Sequence, residues 1–376
     1  MREYWYGCAA AALAAALANS SARADEVTLG AEVALTGPMA SFIGPNLRAA
    51  FEVATDRVNH LHLAGNNTVK LLTEDVASDK SQVIAVTTKF ASVDKVGVIL
   101  GPATTVLGAA AAPVANNLQT PIIAIAYATE IVKPNPWAYR AYMRAEASSK
   151  SIAAFALDHL KVKSAVLVYD RGNDASKTID SDLKARLTAG GVKVLADEGV
   201  QQGDTNFGPL ATKIVGLNPD MLFLATTPEA GANIVVQSRQ AGLAPETKLV
   251  GIGNLASPAY AKTGGKAVWG TYYTSDYFVG LPTEENKEFV EAYRQKMQTE
   301  PDVFAAGAYT ATILAAHGIK GAGDHPDRDK IRAAIADTKD FPTVLGTGKL
   351  TIDQDRETNY DLAMLQLVDG KNELAK

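Results

Sequence analysis

The sequence predicts an α/β protein of two lobes, each a parallel sheet with helices on both faces. Three observations carry this reading. Short β-rich runs alternate with amphipathic helical stretches, and the alternation restarts after about residue 148. The length, 376 residues with 47% hydrophobic and 20% charged content, suits about two globular domains.

Val27–Leu35 reads as the first strand, and Leu47, Ala50, Phe51, Ala54, Val58 and Leu61 then recur at helical spacing. Strand Leu71–Val76, helix Ser78–Ser92, strand Val96–Leu100, helix Thr105–Asn117 and strand Ile122–Ala126 complete the first series. The second series runs from helix Ser148–Lys161 through strand Ala165–Tyr169, helix Ser176–Ala189 and strand Val192–Leu195. It continues with helix Phe207–Leu217, strand Met221–Ala225, helix Glu229–Ala241 and strand Leu249–Ile252. After Gly270 come strand Thr271–Thr274, helices Glu284–Gln298, Phe304–Ala322 and Asp327–Asp337, and the strands Lys349–Ile352 and Leu362–Val368. No low-complexity linker separates the lobes, so the chain is expected to cross between them more than once. A cleft between such lobes is the natural ligand site, because open α/β sheets bind at the carboxyl ends of their strands.

Residues 1–24 read as a secretory signal peptide: Arg2, an alanine–leucine run from Ala9 to Ala18, and Ala22-Arg23-Ala24 before Asp25. The run is too short to span a bilayer, and no later stretch offers 18 unbroken apolar residues. Cys8 precedes the apolar core, so it reads as an incidental residue and not a lipid-attachment site. The exported chain would carry no cysteine and no disulfide, which fits a bacterial periplasm. The formal charge is −5 and no basic block occurs, so the footprint of nucleic-acid binding is missing.

Catalytic and metal motifs are also missing. There is no G-x-S-x-G elbow, H-E-x-x-H or P-loop, and no cysteine after residue 24. The expected protein is therefore not an enzyme and holds no cofactor. His60 and His62 end a helix at a spacing that does not share a face, and Asp353-x-Asp355-x-Glu357 lacks the glycine of a calcium loop and reads as a solvated turn. Gly251-Ile-Gly-Asn-Leu-Ala256 fits a dinucleotide fingerprint, but it comes late in its lobe and Ser257-Pro258 interrupts the expected helix. It reads as a glycine-rich loop at a cleft edge. The informative turn is Gly101-Pro-Ala-Thr104-Thr105, between a strand and an alanine-rich helix. Its hydroxyls, free backbone N–H groups and helix dipole favour a carboxylate, although Thr104 or Thr105 could equally only cap the helix.

The order of these elements, with Ala34-Leu-Thr-Gly-Pro-Met-Ala40 after the first strand and Gly101-Pro-Ala-Thr-Thr105 after the third, resembles the branched-chain amino-acid-binding proteins of ABC transporters, which are type I periplasmic binding proteins. The likeness covers essentially all of the chain after residue 24. It implies two Rossmann-like lobes joined by a three-crossing hinge that close on ligand. The crossings are expected near Arg144–Ala147, Tyr272–Ser275 and Leu345–Lys349, giving one lobe of residues 25–145 plus 273–346 and another of 146–272 plus 347–376. The resemblance further implies a periplasmic, monomeric protein with no membrane insertion, whose partners are a small-molecule carboxylate ligand and the permease and ATPase subunits of an importer. A ligand-sensing receptor domain is the alternative.

Carried over by position, Thr105 matches the hydroxyl residue that binds the ligand carboxylate, with Thr104 beside it. Ala126 or Ala128 matches a backbone contact, and Phe42 an aromatic that packs on the ligand. Thr226 or Thr227 falls near a position often aromatic, and Asn254 lies in the loop that carries an acid in amino-acid binders. That loop here has no Asp or Glu, although a buried ammonium needs a partner. Asp174 and Glu229 are the remaining acids that could supply one. Of the aromatics Tyr127, Tyr272, Tyr273, Tyr277 and Phe278, two or three are expected to touch ligand. The expected ligand is thus an aromatic or other non-amino carboxylate, with branched-chain amino acids as the alternative.

Overall fold

The structure, a computed structural model, describes residues 25–40, 43–144, 147–201 and 203–375. The signal-peptide reading, Cys8 and Phe42 lie outside the described residues.

The first sheet is all parallel, in the order β2-β1-β3-β4-β5. Its strands are β1 (Glu26–Val33), β2 (Thr68–Asp75), β3 (Val98–Ala103), β4 (Ile122–Ile125) and β5 (Ala138–Arg140). Helices α1 (Gly44–His60), α2 (Lys80–Ser92) and α3 (Thr105–Asn117) connect them. Successive residues of one strand feed opposite cores, as the pleat requires. Leu100, Ile123 and Ile125 pack with Phe51 and Ile313 on one face, while Ile99, Ile122 and Ala124 pack with Phe90 and Leu107 on the other.

The second sheet has the order β15-β14-β10-β9-β8-β6-β7. Its parallel part comprises β6 (Ser164–Asp170), β7 (Lys193–Val200), β8 (Met221–Ala225), β9 (Lys248–Gly251) and β10 (Tyr272–Ser275). The strands β14 (Ala363–Val368) and β15 (Lys371–Leu374) extend it antiparallel. Its helices are α4 (Ala147–Ala154), α5 (Asp174–Ala189), α6 (Gly208–Leu217), α7 (Pro228–Gln240) and the short α8 (Pro258–Gly264). Leu222 and Leu224 face one core with Ile234 and Tyr260, and Phe223 faces the other with Leu183. Ser257 caps α8 and Pro258 opens it, so this dipeptide starts a helix where the sequence reading had it interrupt one.

The chain returns to the first lobe with α9 (Glu284–Met297), α10 (Val303–Ala322) and α11 (Arg328–Ala336), which join the core of Leu29, Phe51 and Ile123. A small sheet of β11 (Phe341–Pro342), β12 (Lys349–Ile352) and β13 (Thr358–Asn359) follows. Leu350 and Ile352 belong to the first lobe's core, and the buried Arg140 of β5 ion-pairs with Glu357 beside β13. Glu357 is thus buried, and the expected solvated turn is only half solvated.

Two expected crossings therefore shift. β10 is hydrogen-bonded into the second sheet, so the second crossing follows it, over residues 276–283. Residues 347–359 stay with the first lobe, so the third crossing is Tyr360–Leu362. Strand patterning reveals that a strand exists, not which sheet receives it. No helix among the described residues is long and apolar enough to cross a membrane.

Candidate functional site

The carboxyl ends of β3 and β4 lie side by side, because Ala103 pairs with Ile125 and the Thr104 N–H donates to the Ile125 carbonyl at 3.1 Å. This register brings together Thr104, Thr105, Ala126, Tyr127 and Ala128. Thr104 occupies the N-cap position of α3 with φ +78°, a conformation that a β-branched residue rarely adopts. Its hydroxyl does not cap the helix, and Oγ1 is buried without a hydrogen-bond partner among the described residues. The first N–H groups of α3 therefore lack a side-chain acceptor, and Thr105, half-buried, opens the helix beside them. By contrast, Asp79, Asn173, Thr227, Ser257, Thr283, Asp302 and Asp327 all cap their helices. The capping alternative for Thr104 does not hold, since a hydroxyl stands at the cap position and does not cap.

A cavity of about 780 Å³ lies between the lobes at the hinge. The first lobe contributes Tyr127 and the Glu300–Val303 turn. The second contributes Ile179, Ile252, Gly253, Asn254 and Thr274, and the crossings contribute Met143, Arg144, Asp276, Tyr277 and Leu362. A Cβ on Gly253 would lie 2.8 Å from the Thr274 carbonyl, so only glycine lets these two strand ends approach. Among the predicted aromatics, Tyr127, Tyr277 and Phe278 line the cavity. Tyr273 is fully buried in the sheet and Tyr272 packs on Phe155.

Asp276 ties this region together. It accepts hydrogen bonds from the hydroxyls of Tyr360 and of Tyr127, the latter at 3.2 Å, and burial holds its carboxyl above the usual range. Tyr360 belongs to the third crossing and its hydroxyl also accepts the N–H of Met143 in the first, at 3.4 Å. The Gly346 N–H donates to the Asp276 carbonyl at 2.7 Å. Gly346 has φ +57°, and a Cβ there would lie 2.2 Å from the Asp361 carbonyl. Asp276 thus links the second and third crossings to the Tyr127 loop directly and the first crossing through the Tyr360 hydroxyl, and the Tyr127 ring stacks on Tyr142 at 4.7 Å.

The predicted residues divide accordingly. Tyr127, Asn254 and Tyr277 meet at the cavity, whereas Thr104, Thr105, Ala126 and Ala128 stand beside Tyr127 on the strand-end edge without lining it. Asn254 is exposed, and its amide donates to the Thr226 carbonyl at 2.8 Å. Thr226 is buried and gives its hydroxyl to the Thr227 carbonyl at 3.2 Å, while Thr227 caps α7. Both are committed to holding the loop. Asp174 is 96% exposed, pairs with Lys177 at 2.9 Å and does not line the cavity; Glu229 is also exposed and outside it. Neither acid replaces the missing partner there. The reading overlooked Arg144, Asp276 and Asp302. Asp276 had a signal, because it directly follows a parallel strand where sites form. No His/Cys/Asp/Glu group of three or more among the described residues could hold a metal.

A family model for periplasmic binding proteins matches residues 26–372. A Leu/Ile/Val-binding protein, BraC3, of Rhizobium johnstonii is 26% identical over 352 residues, covering 91% of this chain and 93% of its own. A solved protein from Rhodospirillum rubrum, assigned to branched-chain amino acid ABC transport, superposes with TM-score 0.86 at 25% identity, over 93% of this chain and all of that one. A solute-binding protein of an ABC transporter from Rhodopseudomonas palustris, solved with 3,4-dihydroxy benzoic acid, gives TM-score 0.68 at 24% identity, over 92% and 95% of the two chains. Matched along almost its whole length by the family model, the chain belongs to the periplasmic binding protein family.

Proposed function

We propose that this protein captures a small carboxylate between its lobes for an ABC importer, and that the ligand is an aromatic or other non-amino carboxylate. One observation carries the choice of ligand: among the described residues, the cavity offers no free acid. Its three carboxylates are all engaged, Asp276 by Tyr127 and Tyr360, Glu300 by Arg294 at 2.7 Å, and Asp302 by Asn46 at 2.7 Å. A zwitterion buried here would leave its ammonium without a dedicated partner, which costs several kcal/mol. The Ile252–Ala256 loop supplies only an amide that is already committed to Thr226.

The carboxylate itself is assigned to the start of α3, where uncapped N–H groups and the Thr105 hydroxyl meet the positive end of the helix dipole. Tyr127, Tyr277 and Phe278 would bound the ligand body with flat apolar faces. The solved fold relative that holds 3,4-dihydroxy benzoic acid is consistent with this chemistry. The likeness to the Leu/Ile/Val-binding protein favours a second reading, branched-chain amino acid capture, with Asp276 receiving the ammonium. A thermal-shift series with benzoate, 4-hydroxybenzoate, leucine and valine separates the two, since a ligand of the folded state raises its apparent stability. Stabilisation by the amino acids alone overturns the aromatic reading.

A further inference from the structure

Among the described residues, four charged side chains line the cavity, and only three of them are acids. Those three are engaged, as described above. The fourth, Arg144, is exposed in the first crossing and has no ion-pair or side-chain hydrogen-bond partner among the described residues. The cavity wall is otherwise mainly apolar, with Tyr127, Met143, Ile252, Tyr277 and Phe278. When the cleft closes, a guanidinium on that wall keeps its water, turns to a neighbouring carboxylate or meets an anion of the ligand, and loss of water favours the last two. The planar guanidinium fork suits an acidic oxygen pair.

We infer that Arg144 is a specificity-determining residue that pairs with an acidic group of the ligand at the hinge end of the cavity. The cleft then takes net-anionic ligands and discriminates against zwitterions. This rests on the proposal that the interlobe cavity is the ligand site. The α3 start lies outside the cavity lining, so Thr105 and Arg144 are separate donor positions for an anion. A ligand with an acidic group at each end, an aromatic dicarboxylate, satisfies both, and a monocarboxylate satisfies one. Arg144 also borders a second hollow, lined by Asp182, Asp340 and Asp361. An ion pair formed there on closure would be blind to the charge of the ligand.

The test is calorimetric titration of the full chain and of Arg144→Gln and Arg144→Lys with terephthalate, 4-hydroxybenzoate and leucine, at low and at high salt. Arg144→Gln is expected to weaken terephthalate about ten- to a hundred-fold and to flatten its salt dependence. Leucine, which the unaltered protein should not bind, should stay unbound or gain weak binding in Arg144→Gln. Affinity for 4-hydroxybenzoate, held at the α3 start, should change little, and Arg144→Lys should recover part of the terephthalate loss. An equal loss for terephthalate and 4-hydroxybenzoate would make Arg144 a hinge residue and overturn the inference, as would an unchanged terephthalate affinity. If the unaltered protein binds leucine and neither aromatic acid, the ligand reading above falls first, and this inference with it.

Discussion

Thr104 holds a backbone conformation that costs of order 1–3 kcal/mol for a non-glycine residue, and its hydroxyl does not offset that cost by capping α3. Such strain persists where the surroundings fix it, and here it leaves the start of α3 open toward the strand-end edge. Replacing Thr105 by alanine removes one hydroxyl from that opening. Ligand affinity should fall about ten- to a hundred-fold, as for one hydrogen bond to a charged group, with the apo unfolding midpoint nearly unchanged. Titration calorimetry and thermal unfolding measure both. Glu32 makes a separate residue-scale prediction. It is fully buried in β1, with the Thr87 hydroxyl at 2.5 Å and its second oxygen unpartnered, and burial pushes its pKa up to about 8. Unfolded, the same carboxyl ionises near its ordinary 4.5. Between these values the unfolded chain releases the proton and the folded chain keeps it, so stability falls as pH rises from about 4.5 to about 8. Glu32→Gln should remove that part of the slope and gain about 3–4 kcal/mol at pH 8 relative to pH 5. Denaturant unfolding of both proteins at the two pH values would show it, and parallel slopes would refute it.

At the scale of elements, the crossings depend on groups that meet only in the folded chain. Arg140 is fully buried, donates to the Tyr127 carbonyl and ion-pairs with Glu357. Removing one partner leaves the other buried and uncompensated. Arg140→Met should therefore cost about 3–5 kcal/mol, and Arg140→Met with Glu357→Leu should recover most of it. Denaturant unfolding of the single and double variants tests this. Tyr360→Phe removes the hydroxyl shared by Asp276 and Met143, and should cost about 1–2 kcal/mol. It should also change the radius of gyration of the unliganded protein in small-angle scattering. The same elements show how much the sequence revealed. The helix of Thr105–Asn117 and the strands Met221–Ala225 and Lys349–Ile352 were read to the residue, because apolar period and bounding turns mark them. The strands Ala138–Arg140 and Thr358–Asn359 were missed, being too short to show alternation. The Arg140–Glu357 pair spans 217 residues and leaves no local signal at all. That Asn254 and Tyr277 line the cavity was legible because strand ends and aromatics mark a cleft. The cavity role of Arg144 depends on which side of a crossing faces ligand, and spacing does not encode that.

For the whole molecule, two sheets with their own paired cores make rigid lobes, and three crossings linked through Asp276 and Tyr360 make the hinge. The cavity between them is apolar in most of its wall, carries three satisfied acids and one arginine, and adjoins an uncapped helix start. Closure on a ligand should make the protein more compact and raise its stability by about 2.7 kcal/mol at a hundred-fold excess over Kd. Scattering and thermal unfolding with and without ligand would register the two effects together. The measurement that bears most directly on the central claim is titration calorimetry of the purified protein with 4-hydroxybenzoate and with leucine under one set of conditions. The predicted result is saturable one-to-one binding of the aromatic acid and none of leucine. Saturable binding of leucine with no heat from the aromatic acid would contradict it.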